Sequence, residues 1–215
     1  MMNKIFAIAD IHGCLDKLQR LIRDIKADPV NDTLVFIGDY IDRADGSKEV
    51  VDYILRLEKT YQKMICLRGN HESMLLRYLQ GVEEDIYLAN GGLATLNAYG
   101  ILRSDAPRDR KKKIPADHLR FFKSLLPYYE TDQFIFVHAG LIPGIPLVEQ
   151  SLYDLQWVRQ TFIDSDYDFG KRVVFGHTHF SAPLITANKI GIDTGAVYGG
   201  RLTCVELPNL KFYQV

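Results

Sequence analysis

The chain has 215 residues, with 26 Lys and Arg against 27 Asp and Glu, for a formal net charge of −1. That balance excludes a global electrostatic pull toward nucleic acid or anionic membrane. Hydrophobic residues at 47% and charged residues at 25% suit a soluble chain with a real core, and the length suits one α/β domain over 1–215, with a mostly helical insertion at 82–132. Three cysteines, an odd count with no CxxC, argue against a disulfide framework, so a reducing cytoplasm is the expected compartment. The apolar run 5–9 is too short for a signal-peptide core, and no stretch approaches a membrane span.

In chain order, "KIFAIAD" (4–10) reads as a strand. Residues 14–27 follow with apolar positions Leu15, Leu18, Leu21, Ile22 and Ile25, the spacing of an amphipathic helix. "DTLVFIGD" (32–39) is a second strand, 47–61 a second helix with Ser47 as N-cap candidate, "KMICLRGN" (63–70) a third strand, and 71–81 a third helix closed by Gly81. This β-α-β-α-β-α order implies a largely parallel sheet with ligands beyond the carboxyl ends of its strands. The middle contains "NGGLATLNAYG" (90–100), a basic loop "PRDRKKK" (107–113) and a helix opened by Pro115. Strand patterns return at 133–140, 172–179, 201–207 and 211–215, with a short helix within 151–163.

"ADIHGCLDKLQR" (9–20) supports two chemistries. Cys14 and Arg20 have the spacing of a cysteine-dependent phosphatase loop. Such a loop needs free backbone N–H groups around the anion. The intervening Leu-Asp-Lys-Leu-Gln has no glycine, carries Asp16 and continues a helical stripe, so Cys14 reads as a small residue at a helix start. Asp10 and His12 instead form Asp-x-His, suited to a metal. The strand ends collect Asp10 and His12, Asp39 and Asp42, Asn70 and His71, His138, and His177 and His179. Of six histidines only His118 lies outside this set. One such histidine is ordinarily a hydrogen-bonded polar residue; several at one sheet edge are a metal site. Mixed Asp, Asn and His suit Mn, Fe or Zn, and the lack of cysteine argues against a structural zinc.

"ADIHG", "GDYIDR", "RGNHE", "VHAG" and "FGHTH" resemble, in order, the motifs of the metallophosphoesterase (calcineurin-like) superfamily. "GNHE" and "DxxDR" are similar to the phosphoprotein phosphatase branch in its compact bacterial form, as are "NGG" (90–92) and "DTGAVYGGRLTCVEL" (193–207). The resemblance covers essentially the whole chain. It implies a β-sandwich of two mixed sheets flanked by helices, with two divalent metal ions at the C-terminal strand ends, Mn first and Fe or Zn as alternatives. By motif position Asp10 and His12 would hold one ion, Asn70, His138 and His177 the other, and Asp39 would bridge them. A hydroxide held by both would attack phosphorus directly. His71, oriented by Asp42, would protonate the leaving oxygen. Arg43 would bind the phosphate, with Arg159 of "QWVR" as a second arginine; a helical surface arginine is the plain alternative for Arg159.

Plainer readings stand beside these. Asp42 and Arg43 alone would read as a salt bridge at a helix start, and Asn70 as a turn residue. Glu72 reads as structural, placed where a helix N-terminus favours negative charge. Lys111 to Lys113 read as a solvated loop, and Tyr198 as a residue shaping a loop near the site. Two positions depart from the branch: Ala44 stands where glycine is usual after "DR", and His179 resembles the wider superfamily, where it joins the first metal. His179 is accordingly expected as an additional ligand, with a residue that supports the ligands from behind as the alternative.

The resemblance implies a phosphomonoesterase, foremost a Ser/Thr protein phosphatase acting on phosphoproteins, with a symmetrical dinucleoside tetraphosphate hydrolase as the alternative. A nucleotide groove would draw on Tyr87, Tyr99, Tyr128, Tyr129, Arg103, Arg108 and Arg110. A non-catalytic metal-binding domain is the third reading; retention of every expected ligand with His71 and Arg43 argues against it. Neither a nucleic-acid polymer nor a membrane is an expected partner.

Overall fold

A computed structural model describes residues 3–215. Strand β1 (Ile5–Ala9), helix α1 (Leu15–Ile25), β2 (Thr33–Phe36), α2 (Ser47–Glu58), β3 (Met64–Cys66) and α3 (Asn70–Tyr78) follow the expected alternation. Four helices come next: α4 (Glu84–Ala89), α5 (Leu93–Ala98), α6 (Pro107–Lys113) and α7 (Ala116–Ser124). The second half holds β4 (Tyr128–Glu130), β5 (Phe134–Val137), α8 (Leu152–Trp157), α9 (Gln160–Ile163), β6 (Arg172–Phe175), β7 (Leu184–Ile185), β8 (Lys189–Gly191), β9 (Thr203–Leu207) and β10 (Lys211–Gln214).

The strands form two mixed sheets of five, ordered β10-β9-β1-β2-β3 and β4-β5-β6-β8-β7. In the first, β1, β2 and β3 run parallel while β9 and β10 return antiparallel. In the second, β5, β6 and β8 are parallel and β4 and β7 antiparallel. Side chains alternate between faces of a strand, and the alternation sorts the core into layers. Ala7, Ala9, Val35 and Ile37 meet Phe136, Val174 and Ile190 between the sheets. Phe6, Ile8, Leu34 and Phe36 pack outward against Leu18, Leu21, Val50 and Ile54. Ile135, Val137, Val173 and Phe175 pack outward with Leu155 and Phe162. Strands buried on both faces read as unbroken apolar runs, which is why the pattern of the first half alone suggested one parallel sheet; the two mixed sheets flanked by helices are those the family resemblance implied.

Several sequence expectations need correction. The basic stretch 107–113 is helix α6, not a loop, with Pro107 in its first turn. Lys111 to Lys113 are exposed, but Arg110 is buried, its guanidinium 4.2 Å over the Tyr78 ring and donating to the Tyr78 carbonyl at 3.0 Å. A helix of one buried arginine and a lysine run has no apolar period to find. Strands β4, β7 and β8 also escaped, being two or three residues long. The strands that were found are shorter than their apolar runs, because the last residues leave the ladder and form the loops of the site. Among the described residues no helix is long and apolar enough to cross a membrane.

Candidate active site

Three loops leave the carboxyl ends of β1, β2 and β3 and converge. Nine non-glycine residues have positive φ among the described residues, and six of them belong to the expected site: Asp10, His12, Asp39, Asp42, Arg43 and His177. Ala44 is not among them, so replacing the usual glycine there introduces no left-handed strain. Each left-handed non-glycine residue costs on the order of 1 kcal/mol or more and persists only where its surroundings over-determine it. The Glu72 carboxylate, in the first turn of α3, accepts from the backbone N–H groups of Asp39 (3.1 Å), Tyr40 (2.9 Å) and Gly69 (3.0 Å). It lashes the loop after β2 to the loop after β3, a tertiary role beyond charge at a helix end. Gly69 is needed for close approach: a Cβ there would lie 2.1 Å from Asp39 Oδ1.

Asp39 sits at the centre. His12 Nε2 lies 3.4 Å from its Oδ2, and His138 Nε2 lies 3.4 Å from its Oδ1. Two groups of metal-capable side chains result, His12 with Asp39 and His71, and Asp39 with His138 and His177. Both rings bracketing Asp39 have their tautomer set from behind. His12 Nδ1 donates to the Ile41 carbonyl at 2.8 Å, and His138 Nδ1 to the Ile37 carbonyl at 2.9 Å, which turns each Nε2 inward. Asn70 Oδ1 lies 2.9 Å from the same His138 Nε2.

His71 presents its Nδ1 to Asp42 Oδ2 at 2.7 Å, while its buried Nε2 has no hydrogen-bond partner and lies 3.9 Å from Asp39 Oδ2. Burial works against a charged His71, but the Asp39 charge and the Asp42 hydrogen bond raise its pKa above the ordinary value. Arg43 lies beside the pair, with Nη1 2.5 Å from His12 Nε2 and its guanidinium 5.3 Å from the exposed Tyr198 ring.

The second sheet closes the site. His177, after β6, is buried with its Nε2 unpartnered, and its backbone N–H donates to Asp10 Oδ2 at 3.0 Å. Two expected residues lie at the rim instead. His179 is exposed, its ring 5.4 Å from that of Tyr198, and stands outside both groups of metal-capable side chains. Arg159 is exposed between α8 and α9, not within a helix, and its Nη1 reaches the His177 carbonyl at 3.4 Å and Thr178 Oγ1 at 3.3 Å. Asp193, just after β8, was not selected from sequence. It is buried, and after the cost of burial itself its charge is the largest influence raising the Asp10 pKa.

The donor set fits divalent cations. With Nδ1 of His138 donating to a carbonyl, its Nε2 meets two oxygens, Asn70 Oδ1 and Asp39 Oδ1, and only a proton or a cation satisfies all three. Burial opposes a charged His138, but the Asp39 charge raises its pKa above the ordinary value. Burial, helped by His71 and Arg43, outweighs the Asp39 charge and pulls the His12 pKa down to about 3, and burial lowers that of His177 as well. Ligation needs neutral imidazole. Asp10 Oδ1 and His177 Nε2 are buried polar atoms without partners, which cost free energy unless something binds them. Arg43 and an ion compete for the one lone pair of His12 Nε2, so ligation by His12 requires Arg43 to swing away. No thiol joins the set. Cys14 is half-buried at the start of α1, burial raises its pKa, and Arg20 points to solvent.

A groove of about 770 Å³ opens beside Asn70, lined by Met74, Arg77, Ile86, Tyr153 and Trp157. Tyr153 is 70% exposed and stacks on Trp157, whose ring lies 5.9 Å from His177. None of the aromatic and basic residues expected to build a nucleotide groove lines it. Tyr87, Tyr99 and Arg110 are buried, and the aromatics at the groove come from the 151–163 segment.

A family model described as calcineurin-like phosphoesterase matches residues 3–181. The chain is 29% identical over 210 residues to the serine/threonine-protein phosphatase 1 of Salmonella typhimurium, covering 94% of this chain and 91% of that one. It is 28% identical over 236 residues to the asymmetrical bis(5'-nucleosyl)-tetraphosphatase PrpE of Oceanobacillus iheyensis, covering 99% and 92%. Its fold matches a protein provisionally named a diadenosine tetraphosphatase, with TM-score 0.77, 23% identity and coverage of 100% and 94%. A serine/threonine phosphatase of Saccharomyces cerevisiae follows at TM-score 0.61 and 16% identity, covering 96% of this chain and 73% of that one.

Proposed function

The chain belongs to the calcineurin-like phosphoesterase family and is a hydrolase of phosphoric esters; on that premise we propose that it is a Ser/Thr protein phosphatase using two divalent ions, Mn²⁺ first among them. The observation that carries the two-ion reading is the double exposure of Asp39, one carboxylate oxygen toward His12 and the other toward His138. Asp10, His12 and Asp39 would hold one ion, with His179 joining if its ring turns inward. Asp39, Asn70, His138 and His177 would hold the other. When bound, such ions supply the charge that polarises phosphoryl oxygens and acidifies water.

The chain's own side chains do the rest. Arg43, from the loop after β2, and Arg159, between α8 and α9, bind phosphate oxygens through N–H forks. His71 holds a proton on Nε2 and gives it to the leaving oxygen, and Asp42 stabilises the imidazolium from behind. The three free cysteines are compatible with a reducing compartment, and we place the protein in the cytoplasm.

The protein-phosphatase reading is supported by the likeness to the Salmonella phosphatase and by a groove open enough for a peptide. Two observations favour a second reading, a dinucleoside tetraphosphate as substrate: the likeness to the Oceanobacillus tetraphosphatase is as extensive as that to the Salmonella phosphatase, and the stacked Tyr153 and Trp157 offer a platform for a base. A paired assay decides. Phosphothreonine peptide and diadenosine tetraphosphate are each turned over with added Mn²⁺. The proposal expects a higher kcat/KM on the peptide; a preference for the dinucleotide overturns it in favour of the second reading.

A further inference from the structure

The helical segment between α3 and β4 touches the catalytic pair directly. Asp42 is fully buried, and its two carboxylate oxygens have different partners. Oδ2 receives His71 Nδ1 at 2.7 Å. Oδ1 receives the Tyr87 hydroxyl, from α4, at 2.8 Å and the Thr95 hydroxyl, from α5, at 2.6 Å. The Asp42 backbone N–H donates to Thr95 Oγ1 and Ser47 Oγ, both at 2.9 Å. Thr95 therefore grips both the carboxylate and the backbone of a residue held at φ 72°. The segment pins the next residue too, since the Arg43 N–H donates to the Gly91 carbonyl at 3.1 Å. Gly92 makes room for this arrangement, because a Cβ there would lie 2.6 Å from the Tyr87 ring.

A carboxylate bonded through one oxygen can still rotate its plane. Two donors on the other oxygen remove that freedom and keep the negative charge aimed at the imidazole. Burial and the Asp42 charge push the Tyr87 phenol well above its ordinary pKa, so it stays a donor.

We propose that Tyr87 and Thr95 are positioning residues for proton delivery to the leaving group, acting through Asp42 on His71. The proposal rests on the hydrolase reading above. As an incoming hydroxide from water bonds to phosphorus, the bond between phosphorus and the leaving oxygen breaks and its electron pair stays on that oxygen. The oxygen takes the proton from His71 Nε2 and departs as an alcohol. The imidazole is left neutral, its Nδ1–H still held by an ionised Asp42. An alkoxide needs that proton, whereas a nitrophenolate leaves without it, so the contribution of these residues depends on the leaving group.

The test uses the full chain with Tyr87→Phe, Thr95→Val and the conservative Thr95→Ser. Tyr99→Phe is the control: it removes another buried phenol of the same segment, one whose hydroxyl meets His118 Nδ1 at 2.7 Å and does not touch Asp42. Turnover is compared on phosphothreonine peptide and on 4-nitrophenyl phosphate, with Mn²⁺. In parallel, proton NMR of the metal-free protein follows the far-downfield resonance of His71 Nδ1–H. Tyr87→Phe and Thr95→Val are expected to lose roughly ten- to hundredfold on the peptide and far less on the nitrophenyl ester. Both should shift the resonance, while Thr95→Ser and Tyr99→Phe leave the substrate ratio and the resonance unchanged. In an Asp42→Asn background neither should cause further selective loss. Equal losses on both esters, or an unmoved resonance, overturn the proposal. If the wild-type protein hydrolyses neither ester, the functional reading falls, and with it the proton-delivery role; the resonance then still decides whether the two hydroxyls hold Asp42.

Discussion

The two halves of the site are built differently. The half from the first sheet is pinned by side chains reaching backbone groups: Glu72 holds three N–H groups across two loops, Ser47 and Thr95 hold the Asp42 N–H, and Ile41 fixes the His12 ring. Its polar residues Asp10, His12, Asp39, Asn70, His71 and Asp42 are all buried. The half from the second sheet has buried His138 and His177 at its floor, then passes to solvent through His179 and Arg159. Apart from the Arg43 side chain, one side is tied down by buried hydrogen bonds, and the other ends in exposed side chains. Rigidity is concentrated where charge must be held in place.

The largest effect should come from the residue shared by both halves. Asp39→Asn removes a carboxylate that belongs to both ligand groups, and it should cost several kcal/mol of barrier, on the order of 10³-fold or more in turnover. Calorimetry should record weakened Mn²⁺ binding in the same variant. A variant retaining near-normal turnover would break the comparison at its centre. Chelation should have a similarly large effect on the wild type: EDTA should abolish hydrolysis and iodoacetamide should not, because burial raises the Cys14 pKa and no phosphate loop surrounds it. The reverse result would return the reaction to Cys14.

Within the first half, Glu72→Ala strands three buried N–H groups and should destabilise the fold by about 3 kcal/mol or more, read as a lower urea midpoint. Arg159→Ala, on the open half, should leave the urea midpoint unchanged. It should raise KM roughly tenfold, about 1.4 kcal/mol of binding, with the larger part of kcat retained. Unfolding of Arg159→Ala at lower urea would erase the distinction between the halves.

The smallest effect lies away from the site and calibrates the rest. Glu206 is buried between β1 and β10, and its hydrogen bonds to Asn209, Lys4 and Tyr213 outweigh burial and lower its pKa. A depressed carboxylate contributes stability above its unfolded pKa and loses it as pH falls through the folded one. For Glu206 that loss begins near the ordinary value of 4.5 and continues below it. Glu206→Gln should flatten the acid side of the stability curve in that range and leave turnover at neutral pH unchanged.

Much of the site was legible in sequence because its residues sit at a repeated place. Asp10, Asp39, Asn70, His138 and His177 each follow an apolar run, so any reading that finds the strands finds them. Tyr87 and Thr95 follow no run. They meet Asp42 across 45 and 53 residues of chain, and both lie in short helices of six residues. The "NGG" at 90–92 was noticed, but a glycine that makes room for a ring looks the same as one that makes a turn. Asp193 opens the stretch 193–207 but was given no role, because β8 before it, Lys-Ile-Gly, does not look like a strand although Lys189 is buried there, its ammonium donating to the carbonyls of Ile163 and Ser165. For the groove, the sequence offered several aromatics and basic residues, and packing took Tyr87, Tyr99 and Arg110 into the interior.

The sequence by itself determined the alternation of strands and helices in the first half, the apolar faces of those helices and the polar residues at the strand ends. These are local matters: period, propensity and the residue that follows the last ladder bond. Tertiary structure decided that the strands divide between two sheets, that Glu72 ties two loops together, that α6 is a helix around a buried arginine, and that Tyr87 and Thr95 stand behind Asp42. Each depends on which surfaces meet, and a side chain's partner across dozens of residues is set by the shape and burial of everything packed between them.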